Sequence, residues 1–495
     1  MRCWIQIRLR SSYHWNSPSL NKSINYLKIW KYSFPFQSFL TLTLIFVIDL
    51  KTGLNSTEIM VTAIILFILC LVLSGIIFKI IKIKETTFSW PFCFALLGGK
   101  IIAACIYGYI YKHAFNGDDT WMINQDSFFQ YHRLLHDTGT FFTELFGSYP
   151  QGQSEVSINH SPNYLDNLEY ALITKGLAPF NLVSQGNYYI NAAFFCFFNF
   201  WGFYFIYRLL KTQYKVNHRM LALLIFLFPP VAFWLSGLRA DGYILLFLGI
   251  LLYKYPKLLV KVTLSDILWT LFSFIVVFIL RNGFALLLIP PLFAWWLHEK
   301  FGIKKIVSFA GTYFSCFILV LSLKLLLPAR YDLISHVINR QHEFLALNGN
   351  TRYALTPLND SFAGFAAVLP QAFLNVFFRP FPWVAKGTLQ LMVTLENLFL
   401  WTLVIIVLVK YFKSLKALFK SFIFWALLSY SLTLYLFIGY TVPFPGAYAR
   451  YRIIAEFFII IIFSALLLQE IAKKYGRFLH QPEKPSKQSA GIKLK

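Results

Sequence analysis

Residues 90–137 read WPFCFALLGGKIIAACIYGYIYKHAFNGDDTWMINQDSFFQYHRLLHD, an apolar run that leads directly into a polar stretch. The apolar half is long enough to cross a bilayer as a helix. The polar half places Asp118 and Asp119 side by side after Gly117, at the water-facing end of that predicted span. A carboxylate pair in this position predicts a reaction site at a membrane surface. Asn-Gly-Asp-Asp is also a common turn and helix-cap sequence, and this second interpretation stays open.

The chain as a whole has the composition of a membrane protein. Of its 495 residues, 58% are hydrophobic and 13% are charged, and the mean hydropathy is +0.59. Apolar runs recur along the sequence, which is typical of bilayer-spanning helices. We therefore predict an all-α polytopic membrane protein with about 12 transmembrane helices. The predicted spans lie near residues 36–48, 59–81, 90–111, 188–210, 221–235, 243–253, 268–280, 284–297, 306–327, 389–409, 421–438 and 453–468.

The net charge of +24 is spread over short clusters between the apolar runs. This pattern follows the positive-inside rule and excludes a basic nucleic-acid-binding domain. Alternating the spans from a cytoplasmic N-terminus places about 30 of the 45 Lys and Arg residues on one side. The predicted arrangement is a cytoplasmic segment at 1–33, a transmembrane domain at 34–470 and a basic cytoplasmic tail at 471–495. Two long loops, at about 113–186 and 328–388, are predicted to be extracytoplasmic.

The six cysteines indicate neither a disulfide framework nor a thiolate metal site. All except Cys3 lie within apolar runs, where cysteine acts as a small hydrophobic residue, and no CxxC occurs. His132 and His136 are spaced to share a helix face, as zinc ligands do, but no third ligand follows at a spacing typical of zinc sites. The sequence favours a polar helix face for this pair.

Arginines stand in several turns that are predicted to face the extracytoplasmic side. The residues of interest are Arg239 and Asp241 in PPVAFWLSGLRADGY, Arg281 before Asn282-Gly283, Arg340 and His342 in the second long loop, and Arg450 and Arg452 in GYTVPFPGAYARYR. An arginine costs about 2.5–3.5 kcal/mol in the middle of a membrane helix, so it usually has a partner. Its planar fork suits phosphate, so this set predicts binding of a lipid-linked phosphate or diphosphate. In the alternative, Arg239 pairs with Asp241 and the others reach lipid headgroups.

The carboxylates suit base catalysis, in which one aspartate takes a proton from an acceptor hydroxyl. Because adjacent residues point in different directions, we expect Asp118 and Asp119 to have separate tasks. Asp118 is favoured as the base because it follows Gly117 and lies nearer the preceding span. A divalent cation is the alternative, with Asp118, Asp119 and Asp126 as its candidate ligands. No other cofactor is indicated.

These features resemble the GT-C superfamily, the polytopic glycosyltransferases that use polyprenyl-phosphate-linked sugars. The resemblance is carried by Gly117-Asp118-Asp119 early in the first long loop and by several further segments. These are PPVAFWLSGLRADGYILLFLGILLY, LRNGFALLLIPPLFAWW, RQHEFLALNG, FFRPFPW, LENLFLW and GAYARYR. It extends over about residues 100–470 and is greatest to bacterial members of Bacteroidetes type.

The resemblance implies a bacterial inner-membrane enzyme that moves a sugar from a polyprenyl-phosphate-linked donor to an extracytoplasmic glycan or lipid. In the superfamily, an acidic residue of the first loop acts as a base or a metal ligand. The resemblance assigns that role here to Asp118 or Asp119. The chain departs from the family in having a contiguous acid pair and in having Asn282 after Arg281, where Pro is common. A polymerase, ligase or flippase of envelope-polysaccharide assembly remains an alternative. A transporter is disfavoured because no inverted repeat is evident and the outer loops are large.

Overall fold

A computed structural model describes residues 56–143, 164–326, 332–347, 352–385 and 387–475. The predicted first span near 36–48, the N-terminal segment and most of the C-terminal tail lie outside these residues. The chain divides into a unit of residues 1–65 and a unit of residues 66–495. Of the first unit, only the beginning of one helix is described, and the site discussed below lies entirely in the second unit.

The secondary structure of the described residues is helical, with no β-strand among them. In chain order the helices are α1 (Ser56–Ile81), α2 (Trp90–Ala114), α3 (Asp118–His136), α4 (Thr138–Thr143), α5 (Tyr164–Leu177), α6 (Asn181–Ser184), α7 (Tyr188–Leu210), α8 (His218–Leu227), α9 (Pro229–Trp234), α10 (Ala240–Val260), α11 (Leu264–Leu280), α12 (Asn282–Leu286), α13 (Ile289–Phe301), α14 (Lys305–Leu326), α15 (Leu333–Ala346), α16 (Phe362–Phe378), α17 (Thr388–Lys410), α18 (Phe412–Leu418), α19 (Phe422–Thr441) and α20 (Pro445–Tyr475).

Eight of these helices are long and apolar enough to cross a membrane: α1, α2, α7, α10, α14, α17, α19 and α20. The structure therefore supports an all-α polytopic membrane protein. Apolar side chains on the outside of the bundle, such as Leu271 on α11 and Phe314 on α14, agree with a lipid environment. The prediction of about 12 spans is not confirmed by the residues that the structure describes.

Proline accounts for part of the difference in span count. The predicted span near 221–235 is divided between α8, which ends at Leu227, and α9, which begins at Pro229. The predicted span near 284–297 is divided in the same way, between α12 and α13, with prolines in the first turn of α13. Proline lacks the N–H group that a continuous helix requires, so each apolar run forms two short helices. Before Pro229 the backbone of Phe228 also leaves the helical conformation, with ψ 121°.

Helix α20 lies at the centre of the bundle, since 83% of its apolar window is buried, compared with 17% for α14. It packs against α19, α17, α9 and α10. Helices α7 and α10 form a second close pair. A Cβ atom at Gly249 would lie only 2.4 Å from the carbonyl oxygen of Gly202, so glycine is required where these helices cross.

Both predicted long loops contain helices where the structure describes them. The first carries α3 to α6, with α3 and α5 packed together, and the second carries α15 and α16. The chain enters α3 through three residues with positive φ, Asn116 (51°), Gly117 (98°) and Asp118 (43°). Glycine adopts this left-handed conformation freely, whereas an aspartate does so only at a cost in free energy. Tertiary contacts of Asp118 must therefore hold this entry to α3 in place.

Candidate functional site

Arg239, in the turn between α9 and α10, binds both members of the carboxylate pair. Its NH2 group lies 2.6 Å from Oδ2 of Asp118, and its NH1 group lies 2.9 Å from Oδ2 of Asp119. Its Nε donates a 2.6 Å hydrogen bond to the hydroxyl of Tyr107 on α2. The Arg239 side chain is 5% exposed, whereas those of Asp118 and Asp119 are 38% and 49% exposed. A buried guanidinium thus presents two carboxylates that other molecules can reach.

This geometry contradicts one expectation from the sequence and one alternative interpretation. Asp118 and Asp119 do not point apart but converge on one guanidinium. Arg239 is not paired with Asp241, which is 2% exposed on α10 and has no hydrogen-bond partner for its Oδ1 among the described residues. The N-cap of α3 is Gly117, which has no side chain, so capping does not account for the two carboxylates.

Arg450, in the first turns of α20, brings a second cation to the pair. Its NH1 group lies 3.3 Å from Oδ2 of Asp119, and its NH2 group donates a 3.0 Å hydrogen bond to the hydroxyl of Tyr451. Asp119 is therefore held by two arginines and Asp118 by one. We call Asp118, Asp119, Arg239 and Arg450 the carboxylate cluster.

The surroundings of Asp119 set its affinity for a proton. The Asp119 side chain is about half buried, and its partial removal from water raises the pKa of its carboxyl. The Arg239 guanidinium opposes that rise in the pKa, and the adjacent Asp118 carboxylate adds to it. The balance lies above the ordinary aspartate value. A raised pKa makes Asp119 a stronger proton acceptor than an ordinary aspartate.

Tyr451 connects the carboxylate cluster to a third arginine. The Arg281 guanidinium lies over the Tyr451 ring, 5.0 Å from its centroid, and the Arg450 guanidinium lies 4.9 Å from the same centroid. Arg281 also pairs with Glu169 of α5, at 3.6 Å from NH2 to Oε1. Neither Glu169 nor Tyr451 was expected from the sequence. Glu169 lies in an ordinary helical pattern, YLDNLEYALITKGL, and nothing in its spacing distinguishes it.

Arg281, Glu169 and Tyr451 all line a cavity of about 1250 Å³. This exceeds the roughly 300–1,000 Å³ of pockets that hold drug-sized ligands. Its walls come mainly from apolar side chains of α11, α12, α14, α15, α16 and α19, with Arg340 and Glu343 among the few charged residues. Phe362 and Leu369 of α16 line the cavity and are also exposed on the protein surface. The cavity therefore has an apolar edge that a lipid chain can reach.

The remaining predicted residues have other surroundings. Arg340 forms an ion pair with Glu343 on its own helix, at 2.8 Å, and both residues line the cavity. His342 is exposed on the same helix α15. The fully buried residue of that segment is Gln341, which donates to the carbonyls of Thr356 and Tyr440 at 3.1 and 2.8 Å. It fastens α15 to its neighbours.

Arg452 is fully buried on α20 and belongs to the packing of the bundle. It pairs with Glu456 at 3.2 Å and donates to the carbonyl oxygen of Val376 at 2.8 Å and to Asn397 Oδ1 at 2.5 Å. The Arg452 and Glu456 side chains are both 0% exposed. Arg452 was predicted to bind substrate, whereas the contacts described for its guanidinium are all with the protein.

The candidate metal ligands are not gathered in one place. Asp126 accepts a hydrogen bond from Tyr170 on α5; burial raises its pKa and this hydrogen bond opposes the rise. The rings of His132 and His136 are parallel, 6.3 Å apart. No group of three or more His, Cys, Asp or Glu side chains placed to hold a metal ion occurs in the described part of the chain.

Comparison of the chain with known protein families, with curated proteins and with solved structures finds no match. The resemblance to the GT-C superfamily accordingly stays a prediction from sequence. The function must be argued from the site itself.

Proposed function

We propose that this protein is a membrane glycosyltransferase that uses a polyprenyl-phosphate-linked sugar as donor and a glycan or lipid as acceptor. The proposal is carried by one observation: a reachable carboxylate pair adjoins a large apolar cavity. Arg450 and Tyr451 make the connection, because Arg450 binds Asp119 and Tyr451 lines the cavity. A donor with a long apolar chain and a phosphate-linked sugar has the two chemical parts that this arrangement fits.

The donor lipid would lie in the cavity, entering past the exposed apolar edge at Phe362 and Leu369. Its phosphate would bind Arg281, which lines the cavity beside Tyr451. Guanidinium groups bind phosphate through paired, charge-assisted hydrogen bonds. Lys324 and Arg340 also line the cavity, but each has a shorter ion pair with an acid, at 2.6 and 2.8 Å. Arg281 would bind the phosphate because its own ion pair is longer, at 3.6 Å, and because it lies beside Tyr451.

The carboxylate cluster would supply the proton acceptor. As the acceptor's hydroxyl oxygen forms a bond to the anomeric carbon, the bond from that carbon to the phosphate oxygen breaks. The sequence favoured Asp118 as the base. We propose instead that the hydroxyl proton passes to Asp119, whose pKa is raised and whose side chain is the more exposed of the pair. The polyprenyl phosphate leaves with the electron pair of the broken bond, and its new negative charge lies near Arg281. Asp118 would keep Arg239 in place.

Donor binding and transfer can be tested separately in nanodiscs. The binding probe is undecaprenyl phosphate, and the transfer assay follows sugar movement from a panel of polyprenyl-phosphate-linked donors. Ala366→Trp places a large ring against the cavity wall and should abolish binding of the probe. Asp119→Asn should leave binding intact and remove transfer. Unchanged binding by Ala366→Trp, or absence of binding by the parent protein, would remove the cavity from the proposed function.

A further inference from the structure

Among the arginine ion pairs described above, the one between Arg281 and Glu169 has the longest distance. The two side chains lie 3.6 Å apart, whereas Arg239 lies 2.6 Å from Asp118. Charge-assisted hydrogen bonds between nitrogen and oxygen are normally about 2.7–2.9 Å long. Glu169 is therefore near Arg281 without the tight geometry that marks the Arg239 contacts.

The position of Arg281 has a second support that does not involve Glu169. Its guanidinium lies 5.0 Å from the centroid of the Tyr451 ring, a distance at which arginine and an aromatic face attract each other. Arg281 also follows directly on α11 and precedes α12, so its backbone is fixed by two helices. Removing the Glu169 carboxylate would thus leave Arg281 at the cavity wall.

Both side chains of the pair line the cavity and are partly accessible, at 21% for Arg281 and 19% for Glu169. A carboxylate and a phosphate present similar negatively charged oxygens to a guanidinium. Glu169 lies at the Nη2 atom of Arg281, so a phosphate that binds this side of the guanidinium takes the place of the carboxylate. The two anions also repel each other, and the apolar walls of the cavity screen that repulsion less than water does.

From this geometry we infer that Glu169 is a built-in competitor for the phosphate site on Arg281. Its carboxylate lies 3.6 Å from the guanidinium, and a lipid phosphate displaces it on binding. After sugar transfer the lipid phosphate gains negative charge, and the nearby Glu169 carboxylate repels it and favours its release. This inference rests on the proposed function, because it takes the ligand of the cavity to be a lipid phosphate. It adds that Glu169 limits the affinity of the cavity for that ligand.

The test compares undecaprenyl phosphate binding by the parent protein and by Glu169→Gln in nanodiscs. Glutamine keeps the size of the side chain and removes the competing charge, so binding should tighten about two- to fivefold, the range of a weak, partly exposed ion pair. The matched control is Asp266→Asn, which removes the partner of Lys254 at the opposite end of α11 and should leave binding unchanged.

A double variant shows whether the gain acts through Arg281. In the Arg281→Gln background, Glu169→Gln should not tighten undecaprenyl phosphate binding, because the guanidinium for which Glu169 and the phosphate compete is absent. Parallel titrations with inorganic phosphate and with phosphatidylglycerol distinguish a free phosphate or a general lipid headgroup from a polyprenyl phosphate. Equal or weaker binding by Glu169→Gln, with the parent binding normally, would overturn the inference and spare the proposed function. Absence of undecaprenyl phosphate binding by the parent would overturn both.

Discussion

Arg450 donates a 3.3 Å hydrogen bond to Asp119, although 331 positions separate the two residues in the sequence. Arg239 binds the same oxygen of Asp119 from a third part of the chain, at 2.9 Å. The carboxylate cluster therefore exists only when α3, the turn before α10 and the start of α20 have come together. Its chemistry depends on the complete bundle and not on the loop that carries the two aspartates.

Replacing each carboxylate by its amide should separate the roles of the two aspartates. Asp119→Asn removes the proton acceptor, and turnover should fall about 100- to 10,000-fold with little change in donor binding. Asp118→Asn should retain activity with an altered pH profile. Transfer needs the ionised Asp119, so the rate falls as the pH falls through its pKa. Since the Asp118 carboxylate raises that pKa, its removal should move this acid limb to lower pH.

The measurement is the rate of sugar transfer against pH for the parent and both amide variants, at matched amounts of folded protein. Asparagine retains the size and much of the hydrogen bonding of aspartate, so loss of folding is not expected to dominate. An acid limb that stays in place in Asp118→Asn would contradict the electrostatic coupling of the pair. Full activity in Asp119→Asn would remove this residue from the proton transfer.

The helical fold could be predicted because long apolar runs have few alternatives to membrane-spanning helices. The places where these runs break depend on local backbone chemistry, as Pro229 shows, and a count of apolar residues does not include it. The sequence also identified Asp118, Asp119, Arg239 and Arg450 as candidates. It could not show that they meet, because that depends on how distant helices pack.

Two residues show that residue type alone does not predict which side chains belong to the site. Arg452 was predicted to contact substrate because it stands, like Arg450, in a predicted outer turn. Its partner Glu456 follows at the i,i+4 spacing of a helical ion pair, and this spacing was the available signal for a structural role. Glu169 offered no comparable signal, since its relation to Arg281 arises from the packing of α5 beside α11.

The arginines predicted to bind phosphate can be compared directly. Arg281→Ala should weaken undecaprenyl phosphate binding about 10- to 150-fold, the equivalent of losing about 1.5–3 kcal/mol of charged hydrogen bonding. Arg450→Ala should impair transfer more than binding, because Arg450 contacts Asp119 and not the cavity wall. The control is Arg219→Ala, an exposed arginine at the start of α8. Equal effects of Arg281→Ala and Arg219→Ala would indicate a general loss of attraction to lipid headgroups.

The segregation of Lys and Arg predicts that both termini are cytoplasmic and both long loops extracytoplasmic. Single cysteines placed at Ser154 and Ser489, in an otherwise cysteine-free protein, test this with a membrane-impermeant thiol reagent. Both positions lie outside the described residues. Ser154→Cys should react in intact cells, and Ser489→Cys should react only after the membrane is opened. The reverse pattern would place the carboxylate cluster on the cytoplasmic side and contradict an extracytoplasmic acceptor.

A buried charged group on α20 leads to the last prediction. Arg452 pairs with Glu456 at 3.2 Å, and both side chains are 0% exposed. A second acid, Glu396 of α17, is 7% exposed and accepts a 3.2 Å hydrogen bond from Trp234 of α9. One guanidinium balances one carboxylate, and a further buried negative charge would be costly in an apolar interior. Charge balance therefore predicts that Glu396 carries a proton in the folded protein.

This assignment predicts opposite outcomes for two chemically identical substitutions. Glu396→Gln replaces a neutral acid by a neutral amide and should change the free energy of unfolding by less than about 1 kcal/mol. Glu456→Gln leaves the Arg452 charge buried without its partner and should cost about 3–5 kcal/mol. Chemical unfolding of the purified variants in detergent measures both values. The infrared band of a protonated carboxylic acid should also be present in the parent and absent in Glu396→Gln. Equal destabilisation by the two substitutions, together with an unchanged infrared spectrum, would mean that Glu396 is ionised and that Arg452 is shared between both acids.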